Sequence, residues 1–380
     1  MTMSALPPVI DPAPSPVATA ALPRPRIPWR ALTMVGALAA IWIVFSITTE
    51  GTFLMPRNLS LLARQMSVTS ILAIGMVLVI VAGQIDLSVG ALAGLMGALS
   101  AMAYTNRDWP LAASFLLVLA LGAALGAVQG SLVAWLKIPP FIVTLGGMLV
   151  FQGALLGVTG GVSTSPGRSY VYIGQRYVPA TLGWILAGIV AVLFLYRAAR
   201  ATGLKRLQGA GAAVIAIVAT GVMNRYEGIP MPVLLVLILA AFFAGATHHT
   251  RFGRHLYAIG GNREAAFYSG ISIERHIVGV FTVMGLLSAV AGVVLTARVG
   301  SATSDAGRMM ELDAIAAAVI GGTSLLGGQG TVWGALLGAL VMASLDNGMS
   351  LLNTESFWQP IIKGGILVAA VAVDMVGRRR

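Results

Sequence analysis

A chain of 380 residues that is 57% hydrophobic and 10% charged stands far from a soluble domain, in which about a quarter of residues are charged, and reads as a polytopic membrane protein. The net charge of +11 does not mark a nucleic-acid face, because the basic residues fall between apolar runs, where they report topology instead. With no Cys, disulfides, thiolate nucleophiles and Cys-held metals are excluded, and the four His, at 248, 249, 255 and 276, form no zinc or catalytic pattern.

Residues 1–28 carry eight Pro among Ser and Ala without an apolar core, so they are expected to form a disordered Pro-rich tail, not a cleavable signal. The remainder, 29–380, is expected to be one transmembrane domain. Its first span is Ala31–Thr48, and further apolar runs follow at 59–83, 87–104, 110–136, 139–159, 179–197, 209–223, 231–248, 276–298, 311–326, 331–349 and 358–376. The expectation is an all-α polytopic membrane protein with 10–12 transmembrane helices. Runs 209–223 and 311–326 are short for a bilayer that needs about 20 residues per helix. Forty-six Gly suit helices packed closely in lipid, where small residues let backbones approach.

With the amino terminus placed in the cytoplasm, 15 of the 24 Lys and Arg fall inside and seven outside. The positive-inside rule agrees, and both termini are then cytoplasmic. Arg64 and Lys363 lie one turn into their spans and are expected to snorkel to the headgroups. The longest outside loop, Gly160–Val178, is polar enough to touch something in the aqueous compartment.

Segments Gly83–Leu99 and Gly321–Leu340 echo one another: each has Gly, then Leu four residues on, then a Gly-rich run ending Gly-Ala-Leu. This points to an internal repeat with broken helices, the kind of place where transporters put their sites, since unwound backbone faces a cavity there instead of lipid. Polar residues at membrane depth supply candidates for the solute path: Gln84, Asp86, Ser88, Thr144, Gln152, Ser324 and Asn347. Asp86 is equally suited to capping a helix end. For Gln129 and Gln152 a helix-to-helix hydrogen bond is the expected duty.

The charged interior segment Arg251–His276 holds four Arg and two Glu. Asn262 is placed to cap a helix over Arg263–Ser269, closed by Gly270. A helix of about two turns is marginal in water by itself and needs a surface, either the membrane helix ends or a partner protein. No Gly-x-x-x-x-Gly-Lys-Ser/Thr loop, His-Glu-x-x-His or nucleophile elbow occurs, so the chain is expected to be no enzyme, with no catalytic and no metal-ligating residues, and any ATP hydrolysis must sit on another chain.

Four motifs then match a known pattern: Gly83-Gln-Ile-Asp-Leu-Ser-Val-Gly90, Ile138-Pro-Pro-Phe-Ile-Val-Thr-Leu-Gly-Gly147, Ala258-Ile-Gly-Gly-Asn-Arg-Glu-Ala-Ala266 with Ser269-Gly-Ile271, and Ile320-Gly-Gly-Thr-Ser-Leu-Leu-Gly-Gly-Gln-Gly-Thr-Val332. In this order they resemble bacterial ABC-type monosaccharide importer permeases of the ribose and xylose branch, and Phe141–Gly161 with the apolar pair at 209–248 most resembles its D-xylose members. Gln84 stands where that family usually has a second Gly. The resemblance implies a homodimeric permease in the bacterial inner membrane, a cytoplasmic ATPase subunit that binds ATP and Mg, and a periplasmic sugar-binding protein that delivers a monosaccharide. It further implies that Gly261, Asn262, Arg263, Glu264, Ala265, Ala266, Ser269, Gly270 and Ile271, within the loop 249–276, form the coupling helix on that ATPase. An ion-coupled secondary transporter, using Asp86, Asp313 or Asp346 as the titrating carboxylate, is the rival reading, and ribose or another monosaccharide the rival substrate.

Overall fold

The computed structural model describes residues 29–378, and the Pro-rich tail lies outside them. Fifteen α-helices account for nearly all of the described chain. The first nine are α1 (Trp29–Thr48), α2 (Pro56–Val81), α3 (Val89–Asn106), α4 (Leu111–Ala134), α5 (Pro140–Thr159), α6 (Arg168–Gln175), α7 (Ala180–Ala199), α8 (Leu204–Asn224) and α9 (Met231–His249). After them come α10 (Arg251–Gly261), α11 (Arg263–Tyr268), α12 (Ile273–Val299), α13 (Met310–Ile320), α14 (Val332–Leu351) and α15 (Trp358–Arg378). The strands are one antiparallel pair of two residues each, β1 (Tyr177–Val178) with β2 (Ile229–Pro230). Each of the twelve apolar runs falls on a helix, run 311–326 only as far as Ile320, and among the described residues eight helices are both long and apolar enough to cross a membrane.

Two lengths differ from expectation. Helix α8 runs 21 residues, because Leu204–Gln208, ahead of the apolar run 209–223, continues the helical turn. Helix α13 has only 11 residues, which at about 1.5 Å per residue is half a bilayer. It ends where Gly321 and Gly322 turn the chain.

Helix α12 is the axis of the molecule. Gly122, Gly126 and Gly130 form a row along α4, and a methyl group on any of them would run into the α12 backbone at Gly285, Phe281 or Val278. On another side Gly97 and Gly292 bring α3 equally close to α12. Such spacing needs small residues, and the dispersion contacts and weak polar contacts it permits hold helices together where lipid gives no hydrophobic advantage. Within the chain 83% of the α2 span and 67% of the α12 span are buried, against 11% of α8 and 22% of α7. Thus α2, α12 and α14 form the interior, while the α7–α8 hairpin is peripheral.

The polar loop 160–178 contains a helix that polarity alone concealed. Tyr170 of α6 is fully buried, with its ring 5.5 Å from Phe115 and 6.1 Å from Tyr104, and Thr164 exchanges backbone hydrogen bonds with Ala302. An open cleft of about 630 Å³ beside α6 is lined by Arg168, Tyr172, Gln175, Arg176, Tyr177 and Glu227, among others.

Candidate functional site: two helix breaks and the α10–α11 segment

The chain reverses twice in the same manner. After α2, Gly83 adopts a left-handed conformation at φ 74°, its N–H donates to Ile80 O at 2.8 Å, and Gln84 N–H donates to Val79 O at 3.0 Å. After α13, Gly322 does so at φ 90°, with N–H donating to Val319 O at 2.9 Å and Thr323 N–H to Ala318 O at 2.9 Å. Both are helix closures that only glycine makes without steric cost. The echo between the two segments is therefore structural, but the equivalent of Gly83 is Gly322 and not Gly321. The first break then takes 82–88 to re-enter α3, whereas the second takes 321–331 to enter α14.

The first break gathers most of the polar candidates. Asp86, 2% exposed, accepts on Oδ1 from Ser88 N at 2.8 Å and Ser88 Oγ at 2.7 Å. The carboxylate does not cap α3 as one reading had it: the residue at the N-cap is Ser88, and Asp86 folds the loop ahead of it. Gln129 of α4 joins through Nε2 to Ser88 Oγ at 3.0 Å, which meets the expected interhelical duty. Thr144 of α5 donates to Pro140 O at 2.9 Å and approaches Ile85 O at 3.4 Å. Gln84 is buried and donates to Ala82 O at 3.3 Å, while its Oε1 has no partner among the described residues. Gln152 is half-buried and makes no side-chain hydrogen bond with the described residues.

The other two candidates lie elsewhere. Ser324 sits in the second break, its N–H donating to Gln329 O at 2.9 Å and its Oγ accepting from Leu326 N at 3.2 Å. Asn347 of α14 forms a reciprocal amide pair with Asn58 of α2, at 2.8 and 3.0 Å. That pairing satisfies both amides and places Asn347 apart from the polar break.

Lys363 corrects an expectation. It does not snorkel: its Nζ lies 3.0 Å from both carboxylate oxygens of Asp313 and 2.8 Å from Asp346 Oδ1. One ammonium from α15 thus ties α13 to α14. Burial explains it, since two carboxylates at membrane depth are tolerable only when paired. Glu311 at the start of α13 is a residue that sequence reasoning missed. It is 7% exposed, it packs against the first turn of α3 at Gly90, and its Oε2 has no partner among the described residues. A Met-Glu-Leu-Asp start to a short span was the available signal.

The charged segment folds as two helices where the sequence suggested one. Thr250 caps α10, its Oγ1 accepting from Gly253 N at 3.1 Å. Leu256 and Ile259 are buried against the bundle, and Tyr257 Oη donates to Gly330 O at 2.7 Å. An alternation of Gly and Arg hid the apolar face made by Leu256 and Ile259. Asn262 then caps α11 as expected, Oδ1 accepting from Ala265 N at 2.9 Å, and Gly270 closes it at φ 77°. From Gly261 to Gly270 only Ala266 is buried, and Phe267 and Tyr268 are 63% and 84% exposed. The bundle therefore holds α11 by one methyl group and leaves its aromatic side open.

At the join of α10 with α12, His276 Nδ1–H donates to Ser272 O at 2.7 Å, and its Nε2 faces His255 Nδ1 at 3.0 Å. Burial first, then His276, Arg254 and Arg251, hold His255 below its ordinary pKa of 6.5.

Glycine-broken helices and small-residue crossings within an all-α bundle are the architecture of a membrane permease, a class of protein that moves solute. Residues 58–371 match the family described as branched-chain amino acid transport system / permease component, and the chain belongs to that family. It is similar to the xylose transport system permease protein XylH of Escherichia coli (strain K12), at 45% identity over 91% of this chain and 92% of that protein. The same-named protein of Haemophilus influenzae is 45% identical over 91% of this chain and 96% of its own length. The ribose import permease protein RbsC of Escherichia coli (strain K12) is 36% identical over 89% and 92%. No solved structure matches the chain.

Proposed function

We propose that this chain is the transmembrane subunit of an ATP-driven importer for D-xylose or a related pentose, working as a homodimer in the bacterial inner membrane with both termini cytoplasmic. A periplasmic binding protein delivers the sugar, and a separate cytoplasmic ATPase, which alone binds ATP and Mg, engages Gly261–Ile271. The observation that carries this reading is α11: a capped helix of six residues, exposed except at Ala266, with Phe267 and Tyr268 facing outward. A helix that short is not stable without a surface, and its own bundle supplies almost none. The pentose rests on the two xylose permeases at 45% identity, against 36% for the ribose permease.

In mechanism, closure of the ATPase displaces α11, and rigid-body movement of the helices behind it opens the path alternately to each side. The polar cluster at the first break, Asp86, Ser88, Thr144 and Gln129, offers the sugar hydroxyls exchangeable hydrogen-bond partners, with Gln84 beside it. The ion-coupled alternative is disfavoured by the pairing of Asp313 and Asp346 with Lys363 and by membership of a permease-component family.

The test is exchange of charge on α11, Arg263→Glu with Glu264→Arg, in the complex with ATPase and binding protein. Loss of ATPase co-purification and of sugar-stimulated hydrolysis is expected. Wild-type assembly and stimulation would remove the coupling role. Uptake of radiolabelled D-xylose competed with ribose decides the substrate.

A further inference from the structure

We infer that the Gly260–Gly261 end of α10 is the positioning element that moves the two helix breaks as one unit. This rests on the proposed coupling role of α11 and adds how a push on α11 reaches the solute path. Three distant stretches of the chain, at 81–83, 260–261 and 327–328, meet at this point backbone to backbone. A methyl group at Gly260 would overlap Val81 O and lie 2.6 Å from Gly328 N. Those at Gly327 and Gly328 would lie 2.8 Å from Gly260 O and 2.7 Å from Gly261 Cα. Across the junction Gly328 N–H donates to Val81 O at 2.9 Å, so the last turn of α2 and the loop leading into α14 are hydrogen-bonded to each other at the point where α10 touches both. Tyr257 Oη, bonded to Gly330 O at 2.7 Å, fixes α10 to the same loop one turn earlier.

The connection to α11 is equally short. Asn262 is at once the C-cap of α10, through its N–H to Ala258 O at 3.0 Å, and the N-cap of α11. One residue separates the helix that the ATPase would push from the helix that touches the breaks. Side chains absorb displacement by changing rotamer, whereas backbone packed on backbone transmits it. Because Val81 O precedes Gly83 by two residues and Gly328 follows Gly322 by six, one movement of Gly260 acts on both closures together.

The experiment uses the full importer reconstituted in vesicles, reading D-xylose taken up per ATP hydrolysed. Gly260→Ala is expected to assemble with the ATPase and hydrolyse ATP while uptake per ATP falls about fivefold or more, the scale of a coupling free energy. Gly245→Ala, in a helix position with open space around it, is expected to transport as the wild type. If Gly260→Ala does not fold, Tyr257→Phe decides, since it removes one hydroxyl and keeps the ring, and it is expected to lower the same ratio with assembly and thermal stability unchanged. A wild-type ratio in Gly260→Ala, or in Tyr257→Phe where that variant decides, overturns the inference. If the Arg263/Glu264 exchange also leaves assembly intact, the coupling role itself has failed. If that exchange disrupts assembly but the ratio in these variants does not change, only the transmission through Gly260 has failed.

Discussion

The two interrupted helix pairs, α2–α3 and α13–α14, share one backbone device and handle charge in opposite ways. Each closes its first helix with a left-handed glycine and the same two backbone hydrogen bonds. The first pair then places its carboxylate, Asp86, in the break and satisfies it with a hydroxyl and an amide. The second keeps its carboxylates on the helices, where Lys363 locks Asp313 and Asp346 while Glu311 packs against Gly90 of α3. A carboxylate held by Ser88 is able to exchange partners with a sugar hydroxyl, because the groups are alike in strength and kind. One held by an ammonium is not free to do so. The first pair thus holds its carboxylate in exchangeable hydrogen bonds, and the second holds two of its carboxylates in a fixed ionic link between helices.

The largest effect expected from this difference is at Lys363. Lys363→Ala strands two carboxylates and should cost about 3–5 kcal/mol, read as early thermal unfolding in detergent. Lys363→Met combined with Asp313→Asn and Asp346→Asn should recover most of that loss, since exchanging a whole ionic group for uncharged residues is often near neutral. Failure of the triple variant to recover would mean that the charges serve more than that link. Asp86→Ala should cost less, about 1–3 kcal/mol for the orphaned Ser88 amide, yet reduce D-xylose uptake more than the recovered triple variant does. Equal uptake in the two would dissolve the distinction between the pairs.

Smaller effects separate the two re-entries. Thr331 caps α14, its Oγ1 accepting from Gly334 N at 3.0 Å, and Thr331→Ala should cost about 1 kcal/mol without altering uptake per ATP. Ser88 makes no cap bond of its own, so Ser88→Ala should act through Asp86 and Gln129 and lower uptake. The least effect is expected at His255, outside the membrane spans. Its pKa lies below the ordinary 6.5, so the unfolded chain binds the proton more readily. The neutral side chain therefore supports the α10–α12 contact above about pH 6.5, and that support is lost as pH falls through the lowered folded value. Limited proteolysis at the α10–α12 join should accelerate on acidification, and His255→Phe should flatten that dependence.

Each of the twelve apolar runs located a helix, because burial in lipid demands about the same number of apolar residues wherever a helix crosses. The cap and closing glycine of α11 were equally legible, since Asn262 and Gly270 act within three residues of the groups they satisfy. The repeat was legible but misplaced by one residue: a left-handed φ at Gly322 and not at Gly321 is chosen by which carbonyls of α13 are left to accept.

Composition, the positions of the apolar helices, the two breaks and the absence of an ATP-hydrolysing motif were legible in the sequence alone, because each depends on residues near one another along the chain. Only the tertiary structure decided that Lys363 joins Asp313 to Asp346, that Asn347 belongs to Asn58, and that Gly260 lies between Val81 and Gly328. Those pairs are separated by 17 to 289 positions in the chain, and in a segment as polar and glycine-rich as 251–272 no local pattern states which distant backbone will fill the space a missing side chain leaves.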